Sequence, residues 1–127
     1  MDELVKSLQN SLVLHSPQLV EAFKAVDRKD FVPENMKENA YLDQALPIGM
    51  EQTISQPYTV ARMIELLIEN LKFKIQNSKI LEVGTGSGWQ TAILSRLFDQ
   101  VYSVEIIEEL FRRAKLKMEN LKIKNVE

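Results

Sequence analysis

The chain has 127 residues, 45% of them hydrophobic, which fits one ordinary domain with a buried core and excludes a disordered tail. Its formal charge is -2, from 16 basic and 18 acidic residues spread along the chain, so it carries no field that would attract nucleic acid or an anionic membrane. Cysteine is absent, which excludes disulfides, thiolate metal sites and a cysteine nucleophile and fits a reducing, cytoplasmic setting. The opening MDELVKSLQN is acidic and amphipathic, unlike a signal peptide, and no apolar run approaches membrane-spanning length.

Leu4, Val5, Leu8 and Leu12 recur at helical spacing and predict a first helix with a single apolar stripe. Ser16-Pro17 predicts the next helix start, with the serine hydroxyl as cap and the proline at a position that needs no donor. Leu19, Val20, Phe23 and Val26 form the buried face of that helix. Phe31-Val32-Pro33 interrupts the pattern, and Glu34 to Asp43 reads as a short polar helical turn leading into a loop.

Ala45 to Ile48 and Gln52 to Ile54 predict two short strands around Gly49, as a hairpin or an irregular arch. Ser55-Gln56-Pro57 then repeats the cap-and-proline pattern ahead of a helix. Its apolar face is Val60, Met63, Ile64, Leu67, Ile68 and Leu71, suited to packing on a sheet. Ile80-Leu81-Glu82-Val83 predicts a buried strand, about Gly88 to Phe98 a helix, and Val101 to Val104 a second strand. Leu110, Phe111, Ala114, Met118 and Leu121 mark the helix that follows. Strand, helix, strand, helix in that order predicts a right-handed parallel crossover. The basic run Arg112 to Lys117 reads as a solvated helix face with Glu108 and Glu109 as charge partners.

The junction Glu82-Val83-Gly84-Thr85-Gly86-Ser87-Gly88 carries the chemistry. Glycines between a strand and a helix let the backbone turn sharply and let a ligand approach closely. Their G-x-G-x-G spacing departs from the dinucleotide fingerprint G-x-G-x-x-G, which weakens a nicotinamide reading. Glu105 ends the second strand, where a carboxylate can accept hydrogen bonds from both hydroxyls of a ribose. Together these features point to an adenosyl ligand. Glu82 is placed to attract the amino group of a methionine moiety, and its plainer role is a strand-end acid in solvent. For Ser55 the plainer role is a helix cap. Trp89 and Tyr102 read as core aromatics before they read as contacts for an adenine ring. His15, the only histidine, lies in a segment with no catalytic pattern.

In their order and spacing, Phe31-Val32-Pro33-Glu34, Ala40-Tyr41, Leu46-Pro47-Ile48-Gly49, Gln52-Thr53-Ile54-Ser55-Gln56-Pro57 and the glycine junction resemble the protein-L-isoaspartate O-methyltransferases. The glycine loop is common to many methyltransferases, whereas the LPIG and QTISQP blocks are particular to this family. The resemblance runs from about Phe31 to Asn125-Val126. It implies an α/β, Rossmann-like S-adenosylmethionine-dependent methyltransferase fold, truncated after the second core strand-helix unit and preceded by an N-terminal helical segment. Residues 1–127 would form a single incomplete domain, with 1–44 as the helical region and 45–127 as the start of the cofactor-binding core.

The resemblance further implies methyl transfer from S-adenosyl-L-methionine to the free carboxylate of L-isoaspartyl residues in damaged proteins or peptides, leaving S-adenosyl-L-homocysteine. The ester returns to aspartate through a succinimide. Ser55 would be the catalytic residue, with Gln52, Thr53 and Ile54 lining the pocket beside it. Glu105 would hold the ribose, and Glu82, Gly84, Thr85, Gly86, Ser87 and Gly88 the methionine end. No metal is implied. Such a site can be sparse, because the acceptor carboxylate is already nucleophilic, the sulfonium is already an activated donor, and alignment supplies the rest. Ser55 then orients the acceptor by a hydrogen bond and is not a covalent nucleophile.

Two positions depart from the family pattern: Glu51 stands where glycine is usual, and Trp89 where tyrosine or a smaller residue is common. The family's domain also continues beyond the Asn-Val pair. The expectation is therefore a sheet open along one edge, a chain that is a truncated piece, a split product or a fragment that self-associates to cover that edge, and weak or absent activity for the short chain. Alternatives are a methyltransferase with another acceptor and a non-enzymatic, oligomerising remnant.

Overall fold

Apolar residues three and four apart draw the first two helices onto a shared core. In the computed structural model, which describes residues 1–71, 75 and 77–127, α1 spans Asp2–Asn10 and buries Leu4, Val5 and Leu8. Leu12 does not join that stripe. The helix ends before it, its φ is +60°, and it is 80% exposed, while Val13 and Leu14 turn inward instead. Helix α2 spans Pro17–Ala25, with the proline at its start, and buries Leu19, Val20 and Phe23. Ser16 does not cap it. Its hydroxyl donates instead to Glu65 Oε2, and Glu65 Oε1 accepts from the backbone N–H groups of His15 and Ser16, each at 2.7 Å. A carboxylate from a distant helix thus receives the donors at this helix start.

Two 3-10 turns, Arg28–Phe31 and Glu34–Asn39, lead to strands β1 (Leu46–Gly49) and β2 (Gln52–Ile54). These strands form an antiparallel hairpin with Leu46 opposite Ile54. Met50 and Glu51 between them have φ of +54° and +57°, the mirror-image turn that matches strand twist in tight hairpins. Helix α3 (Pro57–Asn70) buries Val60, Ala61 and Ile64, but Met63 is exposed. Its main packing partner is α2, where a sheet had been expected.

Strand β3 (Lys79–Val83) pairs in parallel with β4 (Gln100–Val104), Ile80 beside Val101 and Glu82 beside Ser103. Helix α4 (Trp89–Ser95) makes the crossover and stops short of the predicted Phe98. Helix α5 (Glu108–Asn120) buries Leu110, Ala114 and Met118 and leaves Phe111 exposed, as Leu121 is just beyond it. The chain then continues past the second strand-helix unit and returns to β4. Val126 bridges Val101 in parallel, and the N–H groups of Val101 and Ser103 donate to the carbonyls of Asn125 and Glu127 at 2.8 Å. Strand β4 is therefore flanked on both sides, whereas β3 has no second strand neighbour among the described residues.

Side chains alternate across the sheet. Ile80, Glu82, Val101 and Ser103 share the face that carries α4, while Leu81, Val83, Tyr102 and Val104 share the other face and are 64%, 80%, 36% and 51% exposed. One hydrophobic cluster runs from Leu4 on α1 to Met118 on α5.

Candidate functional site: a glycine loop tied to a strand-end carboxylate

The end of β3 delivers the chain into the glycine loop. Gly84, Gly86 and Gly88 have φ of +91°, +55° and +85°, a region that costs other residues about 1–2 kcal/mol. What a methyl group would meet at each separates their roles. At Gly88 it would lie 2.8 Å from Met118 Cε, so this glycine leaves room for the tip of the Met118 side chain on α5. At Gly86 its nearest neighbour would be Ile48 Cδ1 at 3.9 Å, and at Gly84 it would meet nothing within 4 Å. Bare backbone is therefore presented at an open surface at the first two positions. The loop is anchored by Gly84 N–H and Thr85 N–H, which donate to the Val104 carbonyl at 2.8 and 3.3 Å. Ser87 Oγ accepts from Trp89 N–H at 3.3 Å.

Glu105 lies directly beside this loop. Its Oε2 accepts from Gly86 N–H at 2.8 Å and its Oε1 from Ile107 N–H at 2.9 Å. Each carboxylate oxygen has two lone pairs, so two acceptor positions remain. The next residue, Ile106, is 96% exposed and presents an apolar side chain to solvent one position beyond that carboxylate. Sequence reasoning passed over Ile106, although an isoleucine directly after a strand-end acid was there to be read.

Glu82 does not face solvent. It is 5% exposed and accepts from Gln90 Nε2 at 3.0 Å, Thr91 Oγ1 at 2.5 Å and Ser103 Oγ at 2.6 Å. Burial raises its carboxyl above the ordinary value of 4.5, the three hydrogen bonds pull it back, and the neighbouring charge of Glu105 adds to the rise.

The hairpin meets the loop through Ile48. Arg113 on α5 donates from Nη1 to the Ile48 carbonyl at 3.2 Å and from Nε to Glu109 at 2.8 Å, so this member of the basic run ties β1 to α5. A cleft of about 310 Å³ opens between Phe31, Ile48, Gly86, Ser87, Arg113 and Lys117. On β2, Gln52 and Thr53 are exposed, whereas Ile54, opposite Leu46, has its side chain buried in the core.

Ser55 is exposed, and among the described residues its hydroxyl makes no hydrogen bond. The capping role is taken by Asp43, whose Oδ1 accepts from Tyr58 N–H at 2.8 Å in the first turn of α3. The Ser55 carbonyl accepts from Arg28 Nη2 at 3.0 Å. Arg28, which sequence reasoning missed, is fully buried. It also donates to the carbonyls of Ala40, Leu42 and Gln44 at 2.8, 3.2 and 2.9 Å, gathering the loop before the hairpin. Burial pushes Arg28 down to about 10, and nearby Asp43 opposes that shift. Its guanidinium lies 5.2 Å from the centre of the Trp89 ring. Trp89 in turn donates to the Val26 carbonyl at 3.3 Å and meets Phe23 edge-on at 5.5 Å, so it is core. His15 Nε2 sits 3.2 Å from Glu69, away from the loop.

Loop and Glu105 are thus joined directly, Ile48 adjoins them, and Ser55 follows on the same hairpin. Among the described residues no cluster of three or more metal-ligating side chains exists, and no helix is long and apolar enough to cross a membrane.

Comparison with known proteins identifies the family and the fold. The family model described as Protein-L-isoaspartate(D-aspartate) O-methyltransferase matches residues 1–127. A Hahella chejuensis protein-L-isoaspartate O-methyltransferase is 52% identical over 119 residues, which is 94% of this chain and 52% of the relative. One from Alteromonas mediterranea is 45% identical over 125 residues, 98% of this chain and 57% of the relative. The chain therefore spans about half the length of the curated relatives it matches. Among solved structures, a Plasmodium falciparum chain described as a protein-L-isoaspartate O-methyltransferase in complex with S-adenosyl-L-homocysteine superposes with a TM-score of 0.81 at 22% identity. That alignment covers 98% of this chain and 59% of the other. A second chain, named protein-L-isoaspartate O-methyltransferase, gives a TM-score of 0.84 at 28% identity, covering 98% and 40%. The architecture is accordingly the Rossmann-like methyltransferase fold with an N-terminal helical segment, and the chain belongs to the protein-L-isoaspartate O-methyltransferase family.

Proposed function

We propose that this chain binds S-adenosyl-L-methionine and serves methyl transfer to the free carboxylate of L-isoaspartyl residues in damaged proteins or peptides. The observation that carries the reading is the bond from Gly86 N–H to Glu105. It sets two spare carboxylate lone pairs beside a loop whose Gly84 position is open. A ribose diol fits those lone pairs, and the bare backbone of Gly84 to Ser87 suits the methionine end. Ile106 supplies an apolar face for the base. Family membership and the S-adenosyl-L-homocysteine of the Plasmodium relative support the assignment.

Bound there, S-adenosyl-L-methionine supplies a methyl group already activated on a sulfonium. Glu105 fixes one end of the ligand, and the glycine loop fixes the other. Ser55, with its hydroxyl unpartnered and exposed, donates to the acceptor carboxylate and orients one oxygen for in-line attack, with Gln52 and Thr53 beside it on the hairpin. No group has to remove a proton, because the acceptor is ionised at neutral pH. Residues 1–44 hold the hairpin in place, residues 45–127 form the cofactor side, and both act as one domain in the cytoplasm. Self-association through the open edge of β3 completes the reading.

Calorimetric titration with S-adenosyl-L-homocysteine tests the first step. Saturable binding is expected, weakened roughly tenfold or more in Glu105→Gln, because a hydrogen bond to a charged group contributes about 1.5–3 kcal/mol. Ser55→Ala should bind as well as the parent and lose methyl ester formation on an isoaspartyl peptide. Absence of saturable heat, or an unchanged Glu105→Gln, overturns the reading.

A further inference from the structure

Two hydroxyl groups, of Ser103 and Thr85, join Glu82 to the glycine loop, and counting their protons fixes the direction of the chain. Thr91 Oγ1 and Ser103 Oγ both meet Glu82 Oε2, while Gln90 Nε2 donates to Oε1. Ser103 Oγ also lies 2.6 Å from Thr85 Oγ1, and on distance alone either hydroxyl could be the donor in that pair. An ionised carboxylate only accepts, and a serine hydroxyl has one proton. Ser103 therefore gives its proton to Glu82, so Thr85 must donate to Ser103. The order is Thr85 to Ser103 to Glu82, and it holds only while Glu82 is ionised. Once protonated, Glu82 becomes a donor toward one of its hydroxyl partners, and the chain loses its single direction.

We propose that Ser103 is a positioning residue that couples the charge on Glu82 to the conformation of the loop at Thr85 and Gly86. The geometry makes this a relay between the strands, since Glu82 and Ser103 are register partners on β3 and β4 and Thr85 is the second residue of the loop. Thr85 is held twice, by its hydroxyl on Ser103 and by its N–H on the Val104 carbonyl. Gly86, the next residue, carries the bond to Glu105. Loss of the ionised Glu82 therefore reverses or frees the hydroxyl bond at one of the two attachments beside that bond.

Few other charges act on Glu82. From the loop side Glu105 is the near charge, and it opposes ionisation. Lys115, Glu119 and the terminal residue Glu127 line the cavity that also touches Thr91 and Ser103. From α4 only the neutral Gln90 and Thr91 reach the carboxylate. Burial moves the Glu82 titration above that of an ordinary carboxyl. Should the cofactor reading hold, the same residue sets the pH dependence of affinity at the methionine end.

The test is a pH titration by NMR of the ligand-free chain, following the Glu82 side-chain carboxyl carbon together with the amides of Thr85 and Gly86. The expected result in the parent is one shared midpoint for all three signals. In Ser103→Ala the Glu82 midpoint rises, because a hydrogen bond to the charged form is gone, and the two amides lose their dependence on it. Ser103→Thr, which keeps the hydroxyl, restores the shared midpoint. Thr85→Val provides a second route should Ser103→Ala fold poorly: Gly86 stops following Glu82 while the Glu82 midpoint stays near the parent value. Amides that continue to track Glu82 in both Ser103→Ala and Thr85→Val overturn the proposal. Titration with S-adenosyl-L-homocysteine across the same pH range is read separately. No heat at any pH defeats the cofactor assignment and leaves the apo amide titration to decide the coupling.

Discussion

Glu51 sits at a φ of +57° in the tight turn between β1 and β2, beside Met50 at +54°. That conformation explains why glycine is the residue expected there, since a side chain with a Cβ is strained by about 1–2 kcal/mol in the left-handed region. Glu51→Gly should therefore stabilise the chain by roughly 1 kcal/mol after the loss of unfolded-state order that glycine brings. A higher urea midpoint at unchanged slope is the expected outcome, and an unchanged or lower midpoint refutes the strain argument. Glu82 gives a pH-dependent counterpart. Its folded-state pKa is raised above 4.5, chiefly by burial. Between the unfolded and folded values the native state binds the extra proton, so the contribution of Glu82 to stability is fully present below the unfolded value and lost as pH rises through the folded one. Relative to Glu82→Gln, the parent should become steadily more stable as pH falls from neutral toward 4.5 and level off below it. A difference that stays constant over that window would show that burial of the ionised form costs nothing.

At the scale of elements, both long-range caps come from carboxylates rather than from the serines adjacent to the helices. Glu65 on α3 receives two backbone N–H groups and a hydroxyl at the start of α2, and Asp43 receives Tyr58 N–H at the start of α3. Glu65→Ala strips all three bonds from a fully buried position, and a loss of about 2–3 kcal/mol is expected from the orphaned donors. Glu65→Gln keeps an acceptor and should recover part of that loss in a denaturant titration. Equal stability of Glu65→Ala and parent would mean that water serves the helix start equally well. These caps mark the limit of what periodicity and punctuation reveal. Proline positions, the hairpin at Gly49 and the strand-helix-strand crossover were legible because each depends on neighbours a few residues apart. The glycine loop and Glu105 were legible because strand ends place them. Arg28, Ser103 and Glu65 were not, since their partners lie far along the chain and nothing local marks them. Leu12 misled for a related reason: its spacing suited the helix, but the chain turned at Ser11 to send Val13 and Leu14 inward.

For the whole molecule, the sheet has one face covered and one bare. Ile80 and Val101 point toward the helices, whereas Leu81, Val83, Tyr102 and Val104 lie together on the uncovered side, next to a β3 edge with no strand neighbour among the described residues. Parallel sheets ordinarily bury both faces, and an open edge offers unpaired N–H and C=O groups to another chain. The proposed self-association would use face and edge together: the apolar contact would supply the drive and the backbone ladder the register. Sedimentation velocity should accordingly show a weight-average mass that rises with concentration and falls in salt-independent fashion when Leu81 and Val83 are both changed to threonine, a residue that keeps strand propensity while removing apolar surface. The pair points away from the core, so the double variant should melt close to the parent. A single sharp monomer boundary for the parent at every concentration would show that the bare face is tolerated in water. In that case, oligomerisation would drop out of the account, while the bond between Gly86 and Glu105 at the tips of the same strands would stand unaffected.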